Sequence, residues 1–269
     1  MSGRAPIAGS FPRSLARALV VATLGFLYLP LVVMALMSFN ASPFYRLPIE
    51  WTADWYAALA GNRPLLEATR ASLLIATATT AIAGTLGTLA AVGLHRYRFR
   101  GRAALRAALL PPIAVPWLIT GTAMLVFFQA SGIGRGLHAI LLGHVALAIP
   151  YVTIAVTARL ASLDASLEEA ARSLGASPRQ AFARVTLPWI APGVVAGSLF
   201  AFAVSFDQFV VSYFLAAPGQ ATLPVEIYSA IRKGFTPEIN AVSTLVIVAS
   251  MALVLAGARA FRPPRGRGR

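Results

Sequence analysis

The sequence contains no cysteine, so disulfides, thiolate zinc sites and thiol catalysis are excluded. Lysine is nearly absent as well: Lys233 is the only one, and Gly234 follows it. No GxxxxGK[ST] phosphate loop is possible in this chain, and energy from ATP has to come from another subunit. GxSxG elbows and HExxH pairs are missing too, which leaves a membrane-embedded hydrolase without a motif. His95, His138 and His144 are not spaced as a metal pair, the last two pointing to different helix faces, so no metal or cofactor is expected. Acidic residues are scarce, nine against 23 basic ones, which gives a formal charge of +14.

What the chain has instead is apolar length. Of 269 residues 58% are hydrophobic and 12% charged, with a mean hydropathy of +0.72, a composition that suits an integral membrane protein and not a soluble domain. The expected fold class is an all-α membrane protein with six spans. Residues 1–17 form a basic tail, with Arg4, Arg13 and Arg17 ahead of a first span over 18–37. A signal peptide is the competing reading, but its apolar core is only ~7–15 residues, whereas a span needs about 20. Residues 38–69 read as an external loop with Tyr45, Trp51, Trp55 and Tyr56 as interfacial anchors and a short helix over 53–60 ended by Gly61.

Further spans are expected over 72–94, 107–129, 137–158, 190–215 and from Thr236–Pro237, as N-cap and first helical residue, to Ala258. Ala83, Gly87 and Ala91 form a small-residue stripe on the second, read as ordinary packing within the chain. Pro111, Pro112 and Pro116 should break the third, and Pro150 should interrupt the fourth. Leu223-Pro224 opens a short amphipathic segment ending near Gly234. Residues 259–269 form a second basic tail, read as disordered.

The basic residues decide between nucleic acid and membrane topology. Seventeen of the 23 fall in the two tails, in the connection over 95–106 and in or next to the stretch over 160–188, Arg159 included; six fall in the opposite loops. That asymmetry orients both termini toward the cytoplasm and accounts for the charge without nucleic acid. Some of the basic tail is also placed to touch anionic lipid headgroups.

The stretch over 160–188, LASLDASLEEAARSLGASPRQAFARVTLP, is a long polar interval between two membrane-length segments, and it carries its own helical pattern. Leu160, Leu163, Leu167, Ala171 and Leu174 share one helix face, with Asp164, Glu168 and Arg172 on others. Ser166 and Glu169 have capping-box spacing, Gly175 suits a helix end, and Ser177, Pro178 and Gln180 restart a second short helix bounded by Pro188.

Within this stretch Glu169-Ala170-Ala171, then Gly175, then Val185 and Leu187-Pro188 resemble the EAA loop of ABC-transporter import permeases, with Val185 where the pattern has Ile. In that family the loop forms a coupling helix seated in a groove of a separate ATPase, so the resemblance implies an ATPase-coupling role for Glu168, Glu169, Ala170, Ala171, Gly175, Leu187 and Pro188. The bland reading of Glu169 is a capping residue, which is compatible with coupling, since a cap can also face a partner. MSFN at 37–40, TxxWYAAL at 52–59, SFDQFVVSYFLAAPG at 205–219 and LPVEIYSAIRKGFTPEINAVSTL at 223–245 look like the spermidine/putrescine type of permease, in particular its second permease subunit.

The resemblance implies a type I importer permease domain over 18–258 in the inner membrane. Its implied partners are a cytoplasmic ABC ATPase dimer, a second permease subunit, a periplasmic solute-binding protein and a small solute. That solute is a polyamine by the resemblance; relatives with similar stretches are associated with iron, thiamine, opines or other small solutes. A scaffold that binds a soluble partner without moving solute is the reading from another class. It leaves Asp207, an acidic residue inside an expected span and away from that span's first turn, without a role. Asp207, with Gln208 and Ser205 beside it, is read either as lining a translocation path or as a structural pairing.

Overall fold

The computed structural model describes residues 13–42, 46–109, 111–234 and 237–260. Every regular element is a helix: α1 (Arg13–Met37), α2 (Asp54–Gly61), α3 (Arg63–Arg96), α4 (Arg102–Ala108), α5 (Pro111–Ala114), α6 (Trp117–Ala130), α7 (Leu137–Ala161), α8 (Ala165–Ser173), α9 (Pro178–Ala181), a π-helical turn (Phe182–Thr186), α10 (Leu187–Phe206), α11 (Val210–Leu215), α12 (Leu223–Lys233) and α13 (Pro237–Ala260). Contacts divide the chain into two compact units, one running to Asn62 and resuming at Ala230, the other Arg63–Ser229.

In the first unit the residues after α1 are tied by polar bonds. Ser38 and Asn40 are buried; the Ser38 hydroxyl meets the Tyr56 hydroxyl at 2.7 Å, and the Trp55 indole donates to Asn40 O at 2.8 Å. Asn62 donates to the Glu238 carboxylate at 3.1 Å, linking the end of α2 to the start of α13. None of the apolar window of α1 is buried within the chain. That is the surface a helix presents to lipid or to another subunit, since hydrocarbon solvates it as well as protein does.

The second unit is built on α3, α7 and α10, brought close by small residues. A Cβ on Gly87 would sit 2.7 Å from Val152 Cβ and 3.0 Å from Ile149 O, and one on Gly197 would sit 2.9 Å from Val152 Cα. Ala83, Ala91, Ala148, Val152, Val156, Leu160, Ile190 and Ala201 fill one core cluster. A second gathers Ile75, Phe128, Ile140, Leu147, Val211 and Leu215. The stripe of Ala83, Gly87 and Ala91 is buried against the chain's own helices, as expected of intramolecular packing.

The six-span count is met in part: among the described residues four helices are long and apolar enough to cross a membrane, five if α4–α6 count as one bent span, and α13 adds a shorter apolar helix over Glu238–Ala252. Other expectations are overturned. The loop expected to last until Thr69 ends at Asn62, because α3 starts at Arg63 with Pro64 in its first turn, where a missing N–H costs nothing. Pro150 does not interrupt α7, which stays helical from Leu137 to Ala161; one lost backbone bond is outweighed by burial of the surrounding turns. The span expected over 190–215 is broken at Asp207–Phe209, between α10 and α11.

No single helix starts at Leu160, since Ser162 bonds back to Arg159 O at 2.8 Å as α7 ends. The Ser166–Glu169 capping box does not form either. Asp164, extended at φ −73° and ψ 119°, is the N-cap, its carboxylate accepting from Ser166 N–H at 2.9 Å. Pro188 does not stop the second short helix: the π-helical turn, in which Leu187 N–H reaches Phe182 O five residues back, widens the coil before the ring and lets the helix run on. The break at Pro111–Pro116 is present. The cap at Thr236, the anchor Tyr45, the tail at 1–12 and the tail beyond Ala260 lie outside the described residues; Arg259 and Ala260 continue α13.

Candidate functional site

Backbone chemistry builds the α8 surface. The N–H of Ser166, then its hydroxyl, holds the Asp164 carboxyl below the usual carboxylate range. At the other end Gly175 takes φ +90°, its N–H bonds to Arg172 O at 3.0 Å and Ala176 N–H bonds to Ala171 O at 3.1 Å. Those two bonds are a Schellman turn, which only a residue free of left-handed strain closes readily. Ser177 and Gln180 then cap each other, at 2.8 and 3.3 Å, as the spacing predicts. The result is a short rigid knob presenting apolar side chains to the outside: Leu174 is 89% exposed and Leu167 45%.

The two glutamates of this knob separate. Glu168 is half-buried and ion-paired with Arg96 at the end of α3, while Glu169 and Ala170 are exposed. Arg96 also donates to Thr186 Oγ1 at 2.9 Å and lies 4.9 Å over the Phe182 ring. One guanidinium thus joins α3, α8 and the π-helical turn, whose last residue abuts Leu187 and Pro188. Arg159 makes a second joint: it lies 5.7 Å from the Trp189 ring, and the Trp189 indole donates to Arg159 O at 3.2 Å. The sequence reading missed Arg96, and five arginines within eleven residues gave no means of singling it out.

Asp207, Gln208 and Ser205 do not share one surface. Asp207 closes α10 as its C-cap and is exposed. Gln208 is 1% exposed, and neither of its amide atoms has a hydrogen-bond partner among the described residues. Ser205 points to His144, whose Nδ1 is 2.8 Å from Ser205 Oγ and whose Nε2 is 3.0 Å from Ser212 Oγ. Ser212 donates its hydroxyl hydrogen to Gln208 O at 2.6 Å. Its oxygen therefore accepts from His144 Nε2–H, and Nδ1 accepts from Ser205. His144 bridges both sides of the α10–α11 break from α7. The signal for it in the sequence was a lone histidine inside an expected span.

At the opposite end of α3 a cavity of about 850 Å³ opens between the starts of α3 and α7, α11 and α12. From Ala71, which lines it, to Arg96 the helix runs roughly 40 Å. Glu67, Glu226, Arg135 and Tyr213 line this cavity. Tyr213 also belongs to an aromatic cluster, with Phe209 at 5.5 Å and Tyr228 at 5.8 Å, and Phe209 is 4.9 Å from Tyr228. No group of three or more His, Asp or Glu able to hold a metal occurs among the described residues.

Residues 83–262 match the family model described as binding-protein-dependent transport system inner membrane component. The chain is 39% identical over 238 residues to the putrescine transport system permease protein PotI of Escherichia coli (strain K12), covering 85% of each. It is 36% identical over 240 residues to the spermidine/putrescine transport system permease protein PotC of the same strain, covering 88% of this chain and 90% of that one. Its fold is that of a chain in the crystal structure of the bacterial alginate ABC transporter in complex with alginate pentasaccharide-bound periplasmic protein, with a TM-score of 0.74, 17% identity and 96% of each chain covered.

Proposed function

The chain belongs to the family of binding-protein-dependent transport system inner membrane components, and on that premise we propose that it is a transmembrane permease subunit of an ATP-driven importer of polyamines of the spermidine/putrescine class. The observation that carries the coupling role is the α8 knob, a capped helix whose Leu167 and Leu174 are open to a partner. Such a helix fits a groove on a cytoplasmic ATPase dimer. Glu169, Ala170 and Gly175 face the ATPase; Glu168, Ala171, Leu187 and Pro188 transmit its displacement. ATPase closure pulls α8, and the Arg96–Glu168 pair and the π-helical turn carry that pull into α3 and α10. Hydrolysis resets them.

The permease domain comprises residues 18–258 with six spans, the sixth along α13, flanked by cytoplasmic tails over 1–17 and 259–269. The arginine distribution supports that orientation. A second permease subunit covers surfaces such as α1, and a periplasmic solute-binding protein delivers solute to the cavity end of the chain. The relatives named for putrescine and spermidine support a polyamine. So does the chemistry: the Glu67 and Glu226 carboxylates on the cavity, Asp207 at the end of α10 and the Phe209–Tyr213–Tyr228 cluster suit a desolvating polycation.

Uptake of radiolabelled spermidine and putrescine into vesicles carrying the complete transporter, with and without this chain, tests the proposal. ATP-dependent uptake that requires the chain is the expected result. Failure with both polyamines, while the chain still recruits an ATPase, would reject the solute and keep the architecture.

A further inference from the structure

A second cavity, of about 650 Å³, lies between the end of α3, α4 and α7, at the arginine-rich end of the helices. Pro150, Ile154 and Ala158 give it an apolar wall along α7. Eight steps of 1.5 Å from Pro150 to Ala158 make that wall about 12 Å long. The Thr153 hydroxyl, which also borders it, shares its one hydrogen between Ile149 O at 2.9 Å and Gly87 O at 3.2 Å, so its donor is already engaged within the chain.

The rim of the same cavity is cationic. Arg106 and His95 line it. Arg102 Nε donates to Leu94 O at 2.9 Å, and Arg106 donates to the same carbonyl at 3.4 Å, which gathers two guanidiniums at one point beyond the end of α3. A carbonyl occupies one donor of each and cancels no charge. Among the described residues neither Arg102 nor Arg106 is in an ion pair, and Glu168 is already paired with Arg96; the sequence has no Asp or Glu between Glu67 and Asp164. A greasy slot with the Arg106 guanidinium in its lining, and the Arg102 guanidinium held beside it on the same Leu94 carbonyl, matches a molecule with a single anionic head and a hydrocarbon tail.

We infer that this cavity is an anionic-phospholipid site, with the phosphate between Arg102 and Arg106 and an acyl chain along Pro150–Ala158. A lipid there would pack in the joint between α3, α4 and α7, next to the Arg96 linkage. The site is independent of which solute the transporter carries.

Native mass spectrometry of the assembled transporter in detergent, with phosphatidylglycerol and phosphatidylcholine of matched acyl chains, tests it. Phosphatidylglycerol should be retained preferentially, and its affinity should fall about five-fold for either Arg102→Gln or Arg106→Gln and roughly 25-fold for both. Ala158→Trp, which fills the slot, should release the lipid with the arginines intact. Glycerophosphoglycerol, the head without chains, should compete poorly. Equal retention of the two lipids, or retention unchanged in the arginine double variant, would overturn the inference. Competition by the chainless head as strong as by the lipid would reassign the site to a soluble phosphate compound. Should Ala158→Trp fail to fold, a photo-cross-linker at Ile154 decides: labelling of lipid supports the site, and labelling of another subunit refutes it.

Discussion

Arg96 and Glu168, 72 residues apart in sequence, form an ion pair that joins the end of α3 to α8, with each side chain about a quarter exposed. A pair at that exposure contributes ~1 kcal/mol at most. Its importance lies in what it connects. Arg96→Ala should leave the protein inserted, increase hydrogen exchange across α8 and lower transport per ATP hydrolysed; the exchange of Arg96→Glu with Glu168→Arg should recover part of the loss. Unchanged exchange in Arg96→Ala would remove the joint from the mechanism.

Glu169 lies on the exposed side of the same helix. Glu169→Lys should uncouple ATP hydrolysis from uptake without changing the melting temperature of the purified complex, since no contact within the chain is lost. Normal uptake in that variant would mean that the residue does not meet the ATPase.

Asp207 is the corresponding test of the solute. Asp207→Asn keeps size and removes charge, so a polyamine that meets this carboxylate should show a KM for uptake raised about ten-fold, the effect of losing one charge-assisted contact of ~1.5 kcal/mol. Equal kinetics for both proteins would leave Asp207 as only the C-cap of α10.

His144 holds Ser205 and Ser212 across the α10–α11 break. His144→Ala strands the buried Ser205 hydroxyl, takes the donor from Ser212 Oγ, which keeps its bond to Gln208 O, and opens a cavity, so thermal unfolding should show a loss of about 1–3 kcal/mol. His144→Gln, which keeps a donor and an acceptor on one side chain, should lose less. A similar loss in both would show that packing outweighs the hydrogen bonds.

Gly87 is a packing test. Gly87→Ala places a methyl 2.7 Å from Val152 Cβ and 3.0 Å from Ile149 O. Val152 Cβ is fixed to its backbone and the carbonyl cannot move aside, so the cost should be about 1–3 kcal/mol in thermal unfolding; adding Val152→Ala, which removes only the Cγ1 contact at 2.9 Å, should relieve little of it. Full relief would show that the Cβ and carbonyl contacts are unimportant.

What the sequence alone determined is of short range or compositional. The membrane class follows from summed apolarity, which needs no partner residue. The Gly175 turn and the Ser177–Gln180 box were legible because their bonds close within three to five positions, where local chemistry is the whole interaction. Even there, competition among neighbours hid an answer: Asp164 and Ser166 both suit an N-cap, and the choice fell to Asp164 because α7 stops where Ser162 folds back on Arg159 O. The helical run through Pro188 was hidden for a related reason, since a proline signals a stop unless the preceding turn widens, and a π-helical turn has no sequence period of its own. Only the tertiary structure decided that Glu168 turns inward to Arg96 while Glu169 stays out, that His144 reaches across 61 and 68 positions to two serines, and that Arg102 and Arg106 meet over one carbonyl. Those relations depend on helices packed as closely as Gly87 and Gly197 allow, a distance set by the three-dimensional approach of α3, α7 and α10 and encoded in no single stretch of the chain.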